Sequence, residues 1–245
     1  GKSGGLMYEQ MECDEVCKRF HTDEKAGLTQ QEAEKRLKAD GKNRLKKVRE
    51  ETTIDRIQKQ LNDPMIFVLF MAASVSILLR EFSDTAIILF VIGLNTIIGV
   101  VQEGKAKKAM DALKKMTAPE ATVKRNGTYR KIPAEELVRG DFVKVKAVDQ
   151  VPADTRLFVC KGIEVNESAL TGESTAVRKS CETMMQEVTA SEQKNMLFLS
   201  TEIVKGNGEG IVVATGMETE LGKIAKMINE QENEMTPLQK KLEEL

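Results

Sequence analysis

The sequence predicts an α+β membrane protein: a two-helix transmembrane hairpin with helical stalks, joined to a small antiparallel β domain. Three observations predict it. Charged residues make up 31% of the 245 positions, yet the stretch from Pro64 to Val101 is almost free of them. Within that stretch two strongly apolar segments are separated only by Arg80 to Asp84. From Ala121 onward the helical spacing of apolar residues gives way to short runs punctuated by glycine and proline.

The composition also excludes. Lys+Arg is 37 and Asp+Glu 38, so no overall charge draws the chain toward nucleic acid. Tryptophan is absent and aromatics are 4%, which leaves no base-stacking platform. The cysteines are Cys13, Cys17, Cys160 and Cys181, and His21 is the single histidine. Cys13 and Cys17 lack a nearby second pair, so no zinc site is expected, and reduced thiols are the plain reading. Gly-Lys-Ser at positions 1–3 lacks the strand and earlier glycine of a phosphate loop and reads as a flexible end.

The elements follow in order. Residues 1–60 form a polar N-terminal segment, helical in pieces. Thr29 stands in N-cap position with Glu32 at the third helical position, a capping box, and Gly41 is a natural stop, so a helix is predicted over Thr29 to Asp40. Lys42, Arg44, Lys46, Lys47 and Arg49 then form a basic run. Ile54, Ile57 and Leu61 follow at helical spacing, which suits an amphipathic helix at a membrane surface as well as an ordinary soluble one.

Residues 61–117 carry the hairpin and stalk. Pro64 to Leu79 reaches roughly 24 Å at ~1.5 Å per residue, slightly less than a ~30 Å hydrocarbon core. The segment from Asp84 to Val101 has similar reach. Basic residues crowd both outer flanks, including Lys105, Lys107, Lys108, Lys114 and Lys115 on the far side. The positive-inside rule then places both termini in the cytoplasm. A buried helical pair in a soluble core is the competing reading. Helical spacing persists from Gln102 to Met116, a stalk that ends before Pro119.

Residues 118–230 are predicted to be the β domain. Asn126-Gly127 between Ala121–Arg125 and Thr128–Ile132 marks a hairpin with a type I′ turn. Further strands are predicted at Phe142–Val145, Arg156–Val159, Ile163–Val165, Leu197–Val204 and Gly210–Ala214. Helix returns over Thr219 to Asn229. Residues 231–245 read as a linker with a short helix beginning at Thr236-Pro237.

Leu170-Thr171-Gly172-Glu173-Ser174 is the segment that can carry chemistry. Gly172 has no Cβ, so another surface can approach its backbone, and Glu173 offers a carboxylate from the tip. Thr171 and Ser174 flank it with hydroxyls able to hold the turn. Alone, such a tetrapeptide is more often a solvated turn.

Its surroundings resemble the P-type ATPases. Glu136 to Asp141, Val151-Pro152-Ala153-Asp154 through Leu157, and Glu167 to Ser174 follow the actuator pattern of that family in order and spacing. Asn207 to Gly210, Ala214 to Gly216, Thr219 to Ile224 and Thr236 to Gln239 extend it. Gly27 to Ala33, Gly41, Asn43 and Gln102-Glu103 are similar to the family's N-terminal portion. The set looks most like type II pumps, the calcium branch first.

The resemblance implies a distorted jelly-roll actuator domain and a mechanism. An aspartate on a separate phosphorylation domain takes phosphate from ATP, with Mg²⁺ bound there, and the actuator docks its loop on the aspartyl phosphate. Glu173 is then the catalytic carboxylate that activates water, with Thr171, Gly172 and Ser174 shaping the approach. ATP and Mg²⁺ belong to domains outside these residues, because the Asp-Lys-Thr-Gly-Thr signature is absent. The chain therefore reads as an N-terminal portion, inactive alone toward ATP. Its implied partners are the phosphorylation domain of the same pump, membrane lipid and a transported cation, Ca²⁺ first. No carboxylate lies inside either apolar segment, and Asn95 and Thr96 read as helix-contact residues. Neither a cofactor nor a metal is expected to bind the chain itself.

Four departures from the family pattern touch turns. Asn166 stands where aspartate is usual, and Ala147-Val148-Asp149 replaces a glycine before aspartate. Thr175-Ala176 lacks the usual proline, and Ser200-Thr201 stands where Gly-Thr is common. Two other functions stay open at this level: a membrane-tethered β module that binds a partner without catalysis, and a soluble regulatory β domain with a buried helical pair.

Overall fold

The computed structural model describes residues 7–46, 52–116 and 118–230. The end of the basic run, Lys47 and Arg49, and the Thr236–Gln239 segment with its expected helix lie outside the described residues. Two compact units are present, one drawn from Gly1–Lys46 and Pro119–Leu245, the other from Lys47–Ala118.

In the second unit α3 (Thr53–Leu61) is closed at its start by a capping box between Thr52 and Asp55. Its Ile54 is 74% exposed. The axis bends by 65° before α4 (Pro64–Leu78), where Asp63 caps the amide of Met65 and Pro64 sits at the first helical position. The chain turns back at Arg80, whose φ is 57°. α5 (Phe82–Met116) then runs for 35 residues without a break, so the apolar segment and the expected stalk are one helix. Among the described residues α5 is the one helix long and apolar enough by itself to cross a membrane. α4 has only 15 residues. Most apolar side chains of α4 and α5 are exposed. Thr96, expected as a helix-contact residue, donates its hydroxyl to the carbonyl of Ile92 at 2.9 Å, which satisfies it on its own helix. Gln60 donates to Glu103 at 3.1 Å and ties α3 to α5.

The first unit is built on an antiparallel sheet: β1 (Glu120–Arg125), β2 (Thr128–Pro133), β3 (Phe142–Lys146), β4 (Asp154–Asn166), β5 (Ala176–Arg178), β6 (Met196–Leu197) and β7 (Glu202–Ala214). The order is β2-β1-β3-β7-β4-β5, with β6 also on β4. The β1–β2 turn is as the residues dictate, with Asn126 at φ 52° and Gly127 at 76°. On β7 the run Ile211-Val212-Val213 serves two faces. Ile211 and Val213 join Phe142, Phe158 and Phe198 in one core cluster, while Val212 joins Val123, Leu137 and Val143 in another. A strand covered on both faces needs an uninterrupted apolar run.

The strand list departs from expectation. Arg156–Val159 and Ile163–Val165 are parts of one long strand, β4, and the Gly210–Ala214 run begins already at Glu202 in β7. Register shifts along the β4–β7 pairing absorb the interruptions. Gly162 and Gly206 face each other there with φ of 59° and 76°. A Cβ on Gly206 would collide with the carbonyls of Lys161 and Gly162. These glycines bend a ladder and do not end it, whereas the expected strand Leu197–Val204 is divided between β6 and the start of β7, and β5 had no counterpart among the expected strands.

The N-terminal residues belong to this sheet. α1 (Cys13–Phe20) sends Val16 and Phe20 into the Phe142 cluster together with Met11. α2 (Gln30–Asp40) packs Ala33, with Leu28 from just before the helix, against Val138. Thr29 caps α2 by accepting from the amide of Glu32 at 3.2 Å, and the carboxylate of Glu32 pairs with Arg36 at 2.9 Å. Asn43 is buried and joins three segments: it donates to the carbonyls of Ala134 and Pro152 and accepts from the amide of Gly216. Arg156 is fully buried and donates to the carbonyls of Tyr8 and Met11, fastening the N-terminal segment to β4.

Two departures from the family pattern land on left-handed backbone. Val148 has φ 76° and is 82% exposed, and Ser200 has φ 68°. Their amides hold the carbonyls of Ile203 and Val151, so each turn is fixed and its residue strained. Val148→Gly and Ser200→Gly are each expected to stabilise the unit by roughly 0.5–1 kcal/mol, since relief of left-handed strain exceeds the flexibility that glycine adds to the unfolded chain. Thermal melts of the two variants test this, and a lower Tm contradicts it.

Asp154 closes the domain at its other end. Its carboxylate accepts from the amide of Leu199 at 2.9 Å and from that of Glu220 at 2.8 Å, at the start of the helix over 220–230. Thr219 caps the same helix through the amide of Gly222. Burial pushes the Asp154 carboxyl up from 3.8 to about 6, against the two amide hydrogen bonds that favour its charge. A carboxyl raised in the folded state disfavours the fold above that pKa, so this group adds stability as pH falls from about 6 toward 4. The amide shifts of Leu199 and Glu220 are expected to titrate with a midpoint near 6, and a midpoint near 4 refutes the assignment.

Candidate functional site

The site lies where β4 runs out. β5 pairs with its end, Asn166 opposite Ala176 and Glu164 opposite Arg178, so the residues between form a closed loop. Asn166 accepts from the amide of Ser168 at 3.0 Å, the same acceptor role an aspartate would fill. One helical turn, α6 (Ser168–Thr171), follows, and Gly172 ends it at φ 79° with its amide on the carbonyl of Ser168. This left-handed cap is what glycine supplies without strain. Among the described residues, its two chain neighbours apart, no atom lies within 4 Å of the position a Gly172 Cβ would take.

Local hydrogen bonds set the tip. The Thr171 hydroxyl donates to the carbonyl of Glu167 and accepts from the amide of Glu173, both at 3.2 Å. Thr171 is half-buried, while Gly172, Glu173 and Ser174 are exposed. The four residues singled out in the sequence therefore stand together on one tip. Among them only Thr171 has its side chain engaged inside the domain by the hydrogen bonds described.

Beneath the tip is a pair that sequence reasoning missed. Glu167 and Lys179 are both buried and form an ion pair. The Lys179 ammonium also donates to the carbonyl of Gln193 at 3.1 Å and lies 5.3 Å from the centre of the Phe198 ring. Burial drives both groups toward neutrality, the carboxyl up and the ammonium down, and each is held back by the other's charge. A lysine at a strand end carries no signal of burial, because its partner is fixed only when β4 and β5 pair.

Among the described residues no cluster of three or more His, Cys, Asp or Glu side chains gathers for a metal ion. Cys17 and Cys160 are poor nucleophiles: burial pushes Cys17 up to about 11, and burial with the neighbouring Cys181 pushes Cys160 up to about 12. What the tip can offer is one exposed carboxylate on a turn whose backbone is pinned from below and open from above.

Comparisons with known proteins point one way. Residues 115–229 match the P-type ATPase actuator domain family, and residues 8–76 match the family described as cation transporter/ATPase, N-terminus. The chain is 44% identical over 94% of its length to "Calcium-transporting ATPase 1" of Bacillus cereus and 36% identical over 98% to "Calcium-transporting ATPase" of Bacillus subtilis. It is also 42% identical over 98% of its length to "Probable cation-transporting ATPase F" of Mycobacterium tuberculosis. These alignments cover 26%, 27% and 26% of the relatives, so the chain spans about a quarter of their length.

Proposed function

The chain belongs to the P-type cation-transporting ATPases, and on that premise we propose that it supplies the actuator and first membrane hairpin of an ATP-driven calcium pump. The calcium assignment follows the names of its relatives. α4 and α5 are the two membrane helices of this reading. The lysines from Lys105 to Lys115 keep the stalk, the β domain and both termini on the cytoplasmic side. ATP and Mg²⁺ act on parts of the pump beyond these residues, which hydrolyse no ATP by themselves.

The carrying observation is the tip. Glu173 is exposed, and at Gly172 beside it no atom of the described residues, its chain neighbours apart, lies within 4 Å of where a Cβ would stand. A phosphorylated aspartate on the pump's phosphorylation domain can meet it there. The Glu173 carboxylate takes a proton from water as the water oxygen bonds to phosphorus and the bond to the aspartate breaks. Thr171 holds the Glu173 amide, and Gly172 leaves room for the approaching body. Docking requires the β domain to move as one piece, and the unbroken α5 is suited to pass that motion to the membrane.

Gly172→Ala tests the reading. The chain itself has space for the methyl group, so the cost to its fold is the left-handed backbone alone, about 1–2 kcal/mol. In the intact pump the phosphoenzyme is expected to form from ATP as before and to decay roughly tenfold more slowly, about 1.4 kcal/mol in barrier. Decay at the unaltered rate would overturn the docking surface assigned here.

A further inference from the structure

We infer that Glu167 and Lys179 are positioning residues for the Glu173 loop: their buried pair anchors the loop's neck at Glu167 and sets where the Glu173 carboxylate stands. This deepens, and rests on, the reading of Glu173 as the residue that meets the phosphorylated partner. Glu167 directly follows β4 at the mouth of the loop, where Asn166 pairs with Ala176, whereas Lys179 follows the far end of β5 and its side chain runs back to Glu167, tying the first loop residue to the body of the sheet.

From there a chain of contacts leads outward. The Lys179 ammonium is held by Glu167, by the Gln193 carbonyl at 3.1 Å and by the Phe198 ring. The Lys179 amide is itself fixed on the carbonyl of Ile163 at 3.0 Å. The backbone carbonyl of Glu167 accepts from the amides of Leu170 and Thr171, both at 2.9 Å, and from the Thr171 hydroxyl at 3.2 Å. That hydroxyl in turn accepts from the amide of Glu173. Each link is short and polar, and the chain of links begins in the core and ends at the catalytic residue.

Stability alone does not account for the pair. Burying two opposite charges costs about as much desolvation as their attraction returns, and an apolar pair of similar volume often serves a fold as well or better. What the buried ion pair adds is a fixed attachment, because parting two opposite charges in a site without water is costly. A loop that must present one carboxylate in line with a phosphorus atom needs such a fixed neck, since misplacement by about 1 Å can cost a factor of 10².

Amide hydrogen exchange on the full chain in detergent micelles tests the inference. In Lys179→Met the amides of Leu170, Thr171 and Gly172 are expected to exchange tenfold faster or more, while those of Ile211 and Val212 on β7 keep their protection. If the uncompensated Glu167 keeps that variant from folding, the neutral pair Glu167→Gln/Lys179→Met carries the same expectation. Unchanged exchange at the three loop amides overturns the inference, and so does an equal loss on β7, which would assign the pair to the fold as a whole. In the intact pump Lys179→Met is expected to slow phosphoenzyme decay about tenfold with phosphorylation from ATP unchanged, and Lys179→Arg to restore most of the rate. If Glu173→Gln slows decay and Lys179→Met does not, the positioning role is overturned. If neither slows decay, the assignment of Glu173 fails instead, and the exchange result decides the neck by itself.

Discussion

Glu173→Gln in the intact pump is expected to leave phosphorylation by ATP at its normal level and to slow decay of the phosphoenzyme by about 10²-fold or more. That factor is roughly 2.7 kcal/mol of transition-state stabilisation. The substitution keeps shape and volume and removes only the ability to take a proton. It touches no buried contact, because Glu173 is exposed and its amide, not its carboxylate, holds the turn through Thr171. The fold of the chain should therefore be unchanged, and the loss should appear in one step. Glu187→Gln, an exposed glutamate elsewhere in the same domain, is the matched control and should decay normally. A quench-and-chase measurement of phosphoenzyme separates the outcomes. Normal decay in Glu173→Gln would remove the carboxylate from the reaction.

The largest effect on stability is expected at Arg125. Its guanidinium makes two hydrogen bonds to Asp141, at 2.6 and 2.9 Å, and another to the carbonyl of Glu136 at 3.2 Å. Both side chains are buried, and Asp141 also accepts from the amide of Val138 at 3.0 Å. The pair joins β1 to the turn that leads into β3. Arg125→Met strands the Asp141 carboxylate without its cation, at a cost of about 3–5 kcal/mol. For a unit of this size the melting temperature should fall by about 6–20 °C. Arg125→Met/Asp141→Leu removes both charges and is expected to recover most of the loss. A fall of less than about 3 °C in the single variant would show that the carboxylate finds other support.

Much of this protein was legible locally. The Asn126-Gly127 turn, the Thr29 cap of α2, the helix after Thr219 and the continuity of α5 through the stalk all depend on residues within a turn or two of one another. The tip Thr171–Ser174 was legible too, since a left-handed Gly172 and the Thr171 hydroxyl act within the same short stretch. Even the two unusual turns at Val148 and Ser200 were visible as places where glycine was missing. Only the backbone angles show that both residues are strained there.

Tertiary structure decided the rest. Whether Gly162 and Gly206 end a strand or bend one depends on the partner strand, so β4 and β7 came out as long bulged strands. The docking of residues 7–46 on the sheet rests on Asn43 and Arg156, whose partners Pro152 and Met11 lie 109 and 145 positions away in the chain. A buried polar side chain is written like an exposed one, and only the fold shows which groups replace its lost water. Thus residue order by itself determined the local turns, the apolar spans and the carboxylate on its glycine tip. The packing of distant strands determined Glu167 and Lys179, because the free energy of a buried charge depends on what surrounds it and not on its neighbours in sequence.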